Sequence, residues 1–331
     1  MRSKLHCRIF SAVLALTLGW PGLVFAQAAG PKPAAPPESI TVTGIKEVEA
    51  AVGKFVGTMT VRTHVADKIA RWRVGICPIL AGLRPEAAQF VIKRLKDVAA
   101  QVGAPVNDKT PCSPNLGIVF STTPQALLNN TRALHPVLLG YHNNGAQAER
   151  LAVVTHPIQA WYTTGTQDLN ASLTVDNGVC RGETLQMDAA NVGTGIDTAF
   201  GASSVPFTTM YLPCANAYAV TGNRLGNGLS SELYRVFIVA EPAKLLDYEI
   251  GTLSDYIAML ALSQIQPPDS CQDLPSILNL LVPGCSRTAK ALTSGDIAYL
   301  RGLYKISAGA TFGVQQDELI SQMNRSLEAR Q

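Results

Sequence analysis

The sequence predicts an α+β fold, and three observations carry that prediction. Short β-branched runs bounded by glycine are interspersed with helices that show an apolar stripe. A stretch rich in Gly, Thr, Asn and Ser, from Gly165 to Asn227, reads as turns and short strands. Helical periodicity is concentrated toward the C-terminus, as in folds where strands and helices segregate.

The first 26 residues read as a signal peptide. Arg2, Lys4 and Arg8 form a basic region, an apolar run follows, and Val24 and Ala26 are small residues at cleavage spacing. Gly19 and Pro21 break the run before it reaches the ~20 residues a membrane-spanning helix needs. The expected mature chain starts at Gln27, is exported to the periplasm or secreted, and has no transmembrane segment. Its 24 basic and 24 acidic residues leave it formally neutral, so no electrostatic case exists for a nucleic-acid partner. Residues 27–44 form a Pro- and Ala-rich linker. It ends in "ITVTG" (Ile40 to Gly44), which resembles segments of TonB-dependent outer-membrane receptors and reads as a strand when taken alone.

The elements follow in order. Trp72 to Gly82 is β-branched and bounded by glycine, hence a strand. A helix runs from Pro85 to a stop at Gly103, with Phe90, Ile92, Leu95 and Val98 as its apolar face. Asn115 to Thr122 is a second strand, and "TPQALLNNTRAL" a short helix. Trp161 and Tyr162 are adjacent in a strand-like stretch, so one is expected in the core and one exposed. "LYRVFIVAE" (Leu233 to Glu241) is a buried strand. A helix is expected from about Ile250 to Ile265. A final amphipathic helix uses Leu319, Ile320, Met323 and Leu327.

Six cysteines remain after the leader, an even number that implies disulfides in an oxidising compartment. Sequence order pairs Cys77 with Cys112, Cys180 with Cys214, and Cys271 with Cys285. No two cysteines have CxxC spacing, which argues against a zinc–thiolate site. His64, His135, His142 and His156 each stand alone, two of them before proline. There is no G-x-S-x-G elbow, P-loop or G-x-G-x-x-G.

"SDYIAMLALSQ" (Ser254 to Gln264), followed by "PSILN" (Pro275 to Asn279) and "LTSGDIAYLRGLY" (Leu292 to Tyr304), resembles the active-site region of metzincin zinc proteases, specifically the matrix-metalloprotease branch. That branch carries H-E-x-x-H-x-x-G-x-x-H on a helix, then a methionine turn and a closing helix. Residues i and i+4 share a helical face, so two imidazoles reach one zinc while the glutamate activates its water. The resemblance spans roughly Trp72 to Lys305, with specific motifs only in its last part. It implies a mixed twisted sheet with packing helices over residues 45–265, and a small helical C-terminal subdomain over 266–331.

The same alignment places Ser254, Ala258 and Gln264 at the ligand positions, Asp255 at the general base and Leu278 at the methionine. No histidine follows His156. A hydroxyl, a methyl and an amide do not make a zinc site. The expectation is a pseudoprotease with no metal or cofactor, acting as a binding or structural module toward an extended peptide or an envelope protein. The alternatives are a hydrolase using His135, His142 or His156, and an envelope component of a TonB-type system.

Overall fold

The computed structural model describes residues 45–109, 111–178, 184–187, 208–211, 218–222 and 226–329. The leader, the linker with Ile40 to Gly44, and Cys180 and Cys214 lie outside the described residues. The helices are α1 (Ile45–Met59), α2 (Pro85–Val102), α3 (Pro124–Leu134), α4 (Gly145–Leu151), α5 (Ile250–Leu262), α6 (Ser294–Leu303) and α7 (Phe312–Glu328). The strands are β1 (Pro78–Ala81), β2 (Leu116–Phe120), β3 (Ile158–Gln167), β4 (Leu173–Val175), β5 (Thr184–Met187), β6 (Thr208–Tyr211) and β7 (Ser230–Ala240).

The fold is α+β. A mixed five-stranded sheet has the order β1-β2-β7-β3-β4, and β5 and β6 form a separate antiparallel pair. β1, β2 and β7 are mutually parallel, whereas β3 runs antiparallel to both β7 and β4. The main core lies between one face of this sheet and helices α1, α2, α5, α6 and α7. A smaller cluster on the opposite face gathers Trp161, Phe237 and Val239 with Leu127 and Leu128 of α3.

Several expectations shift in instructive ways. The first strand is only Pro78–Ala81, because the residues before it bond elsewhere. Ile76 N donates to Pro105 O (3.0 Å), Asn107 N to Ile76 O (3.1 Å), and Cys77 N to the Asn115 side chain (2.7 Å). On α2 the buried stripe is Val91, Leu95, Val98, Ala99 and Val102, while Phe90 is exposed and Ile92 half-buried. The i, i+4, i+7, i+11 phase that begins at Val91 is the one that packing against α5 and β1 selects. Gly103 ends the helix as expected, in the left-handed region (φ 83°) that favours glycine.

Trp161 and Tyr162 are both buried, at 4% and 6% exposure. Adjacent strand residues point to opposite faces, and here both faces are covered, by α3 on one side and α5 on the other. Helix α1 has no counterpart in the sequence reading. Its Val52, Phe55, Val56 and Met59 are buried at helical spacing, with Phe55 edge-on to Tyr299 at 5.7 Å, but Gly53 and Gly57 weaken the helical signal.

Two of the three expected disulfides fall within the described residues and both are present. Cys77–Cys112 (Cα–Cα 6.1 Å) ties the start of β1 to the loop before β2, and Cys271–Cys285 (Cα–Cα 5.5 Å) closes the turn after α5. No helix among the described residues is long and apolar enough to cross a membrane. Because a loop of this size restricts the unfolded chain, a Cys271→Ser, Cys285→Ser double variant is expected to lose about 3 kcal/mol of unfolding free energy, measured by urea denaturation against the oxidised parent.

Candidate functional site

Helix α5 is apolar on every side, and every residue from Thr252 to Leu262 is buried, the signature of a core helix. It stops at Leu262, three residues before the expected end, because Ser263 is extended. No glycine caps it. The last four carbonyls of a helix have no intrahelical donors, and here each meets a side chain. Ser263 Oγ donates to Met259 O (2.7 Å), Trp72 Nε1 to Ala261 O (2.7 Å) and the Tyr304 hydroxyl to Leu262 O (2.7 Å). The Tyr162 hydroxyl lies 3.0 Å from Leu260 O and 2.8 Å from Ile265 O, sharing its one hydrogen between them. Burial pushes the Tyr162 and Tyr304 phenols well above their ordinary value, so both remain donors.

After α5 the chain forms a 3₁₀ turn, Ile277–Leu281, packed against the helix with Leu278 fully buried. Its hydrogen bonds join the two downstream motifs into one knot. Buried Asp296, in the first turn of α6, accepts from Ser276 Oγ (2.5 Å), Ile277 N (2.8 Å) and Thr293 N (2.9 Å). Thr293 Oγ1 accepts from Asp296 N (3.1 Å), completing a capping box. Asn279 holds the other end: its Oδ1 accepts from Gln272 N (2.8 Å), and its amide donates to Arg287 O (3.0 Å).

Of the remaining site positions, Ser254 and Ala258 share a face of α5, whereas Gln264 lies beyond the helix. Ser254 is buried and its Oγ donates back to Ile250 O (2.6 Å). Ala258 is buried in the core. Asp255 is also buried and fully engaged: Arg94 of α2 grips it with two bonds (2.6 and 3.0 Å), and Leu292 N donates to it (2.9 Å). Gln264, two residues past the helix, lines a cavity of about 340 Å³, and neither Ser254 nor Ala258 is among the residues that line it. The Gln264 Oε1 is buried with no hydrogen-bond partner. Among the described residues no group of three His, Cys, Asp or Glu side chains could hold a metal ion.

The cavity runs along β3 and is lined by Gln159 to Tyr162, by Leu139 to Tyr141, and by His64. Sequence reasoning missed it, because its walls come from segments far apart in the chain. Glu241 N donates to Pro157 O (2.8 Å), which fixes the hydrogen-bonding alternation of β3. Gln159, Trp161 and Thr163 bond to β7, so Ala160 and Tyr162 turn their N–H and C=O groups the other way. β4 pairs only with Gly165 to Gln167, so that edge has no strand beside it at Ala160 and Tyr162 among the described residues. Gly140 (φ 96°) passes so close that a Cβ there would lie 2.8 Å from Tyr162 O. At the rim His64 stacks on Tyr141 (4.3 Å, 12°). Behind them Asp176 is buried, held by Thr164 Oγ1 and Thr166 Oγ1 (2.7 Å each). Burial pushes its carboxyl above the ordinary range, against the pull of these hydroxyls and of His64.

The other histidines make local contacts among the described residues. The His142 Nδ1 lies 2.9 Å from Gly140 O, and His135 closes α3 through its backbone N–H to Thr131 O (2.7 Å). The His156 Nδ1 is 2.8 Å from Thr155 Oγ1 and its Nε2 is 3.2 Å from Asp269 Oδ1. The Asp269 side chain is 96% exposed, so water competes for that pair and little is left to orient the imidazole.

Two stability predictions follow from the helix. Arg94→Met strands the buried Asp255 carboxylate and is expected to cost about 2 kcal/mol in urea denaturation. Adding Asp255→Asn is expected to recover part of that loss. Tyr304→Phe and Tyr162→Phe each leave a buried carbonyl without its donor and are expected to lower stability by about 1–2 kcal/mol in the same measurement.

Compared with known proteins, the chain matches no family model, no curated protein and no solved structure.

Proposed function

We propose that this chain is an exported, metzincin-like binding module without zinc hydrolase activity, which holds an extended peptide against the open edge of β3. The observation that carries this reading is the edge of β3 at Ala160 and Tyr162, which has no strand beside it among the described residues and lines a cavity that Gln264 also lines. An extended peptide laid there gains main-chain hydrogen bonds as an added strand. One of its N–H groups can meet the orphaned Gln264 Oε1, whose burial without a partner is otherwise costly.

Support for the metzincin-like part comes from the downstream motifs, whose residues meet in the knot beneath α5. Support for the loss of hydrolysis comes from Ser254 and Ala258, sealed in the core, and from Asp255, whose oxygens are bonded to Arg94 and Leu292. Zinc chemistry needs three good ligands and a water, and an attacking water needs a base with a free lone pair. The two disulfides fit an oxidising compartment.

The test uses a fluorescein-labelled octapeptide of alternating valine and threonine. Binding is expected by fluorescence anisotropy, and N-methylation at alternate residues is expected to weaken it at least tenfold without any cleavage of the peptide. Equal binding of the two peptides overturns strand addition. Stoichiometric zinc in the purified protein, with cleavage of the peptide, overturns the non-hydrolytic reading.

A further inference from the structure

We infer that the segment bound along β3 is acidic, with carboxylates on the face that Trp161 shares. This rests on the peptide-binding reading above and adds the chemistry of the ligand. Three side chains that line the cavity are basic, namely Arg62, His64 and Arg150, and among the described residues no Asp or Glu lines it. Asp176 sits behind the wall with both oxygens taken by threonine hydroxyls, and Asp67 at the rim is paired with Arg62.

The basic groups differ in availability. The Arg62 guanidinium already pairs with Asp67 (3.2 Å) and lies over the Phe312 ring at 4.2 Å, so it shapes the rim. His64 is stacked on Tyr141. Arg150, in the last turn of α4, makes no salt bridge among the described residues and is exposed.

Arg150 is also placed where a ligand side chain would arrive. The Trp161 Nε1 donates to Leu151 O (2.7 Å), which fixes the end of α4 beside β3 on the face that carries Trp161. Side chains of an added strand alternate between faces and line up with those of the strand beside it. Every second ligand residue therefore points to the side of Trp161 and Arg150. A carboxylate there meets an unspent guanidinium, whereas an ammonium meets a like charge. Charge complementarity of this kind selects partners and sets their register.

The experiment compares three labelled octapeptides on the intact mature protein: valine alternating with glutamate, with threonine and with lysine. The glutamate peptide is expected to bind about fivefold more tightly than the threonine peptide, in line with a single partly exposed ion pair, and the lysine peptide more weakly than either. Arg150→Gln is expected to abolish the preference for glutamate over threonine. Circular dichroism checks that this surface variant is folded. Equal binding of the glutamate and threonine peptides, or a preference that survives Arg150→Gln, overturns the acidic ligand and leaves strand addition standing. Failure of all three peptides to bind overturns both.

Discussion

The end of α5 is the constraint on which the rest depends. A helix buried on all sides cannot leave its last carbonyls to water, and each unpaired one costs on the order of 1–3 kcal/mol. Four elements supply the donors: Trp72 from the segment before β1, Tyr162 from β3, Tyr304 from the end of α6, and Ser263 from the chain as it leaves the helix. These bonds run to the sheet, to the closing helix and to the N-terminal part of the fold at once. They therefore set where α5 sits relative to everything around it. They also explain why the helix stops at Leu262 without a glycine: buried hydroxyls and an indole replace the left-handed cap.

The knot below α5 does for the C-terminal segment what those donors do for the helix. A single buried carboxylate, Asp296, organises the Ser276 turn and the start of α6 together. Such groups are tolerated inside a protein only when their hydrogen bonds are met, and a change at any one of them strands the others. This gives a physical reason for "PSILN" and "LTSGD" to occur together in a chain with no histidine after His156. Those motifs are framework: their hydrogen bonds hold a turn under a helix and ask nothing of the chemistry above it. The same holds for Asp255, whose Arg94 and Leu292 partners fasten α5 to α2 and to the segment leading into α6.

The uncovered edge of β3 arises from a different mismatch. β3 has ten residues and bonds to β7 along its length, yet β4 covers only its last three. The uncovered part is kept from open solvent by the passage of Gly140 and by the side chains around the cavity. A short neighbour and a flanking loop are common ways to limit an edge.

The sequence by itself determined what depends on local spacing. That includes the α+β class, the stripe-bearing helices, the stop at Gly103, the strand that became β7, and the two cysteine pairs among the described residues. The downstream motifs were legible for the same reason, since a capping box and a tight turn are each written within a few residues. Tertiary structure alone decided the rest. The phase of α2, the burial of both Trp161 and Tyr162, and the shortening of β1 followed from which surfaces met. The early end of α5 was set by donors from Trp72, Tyr162 and Tyr304, scattered over more than two hundred residues. The cavity was invisible because an open edge is a property of which strand lies beside which, and strand order is a long-range pairing that no local pattern encodes.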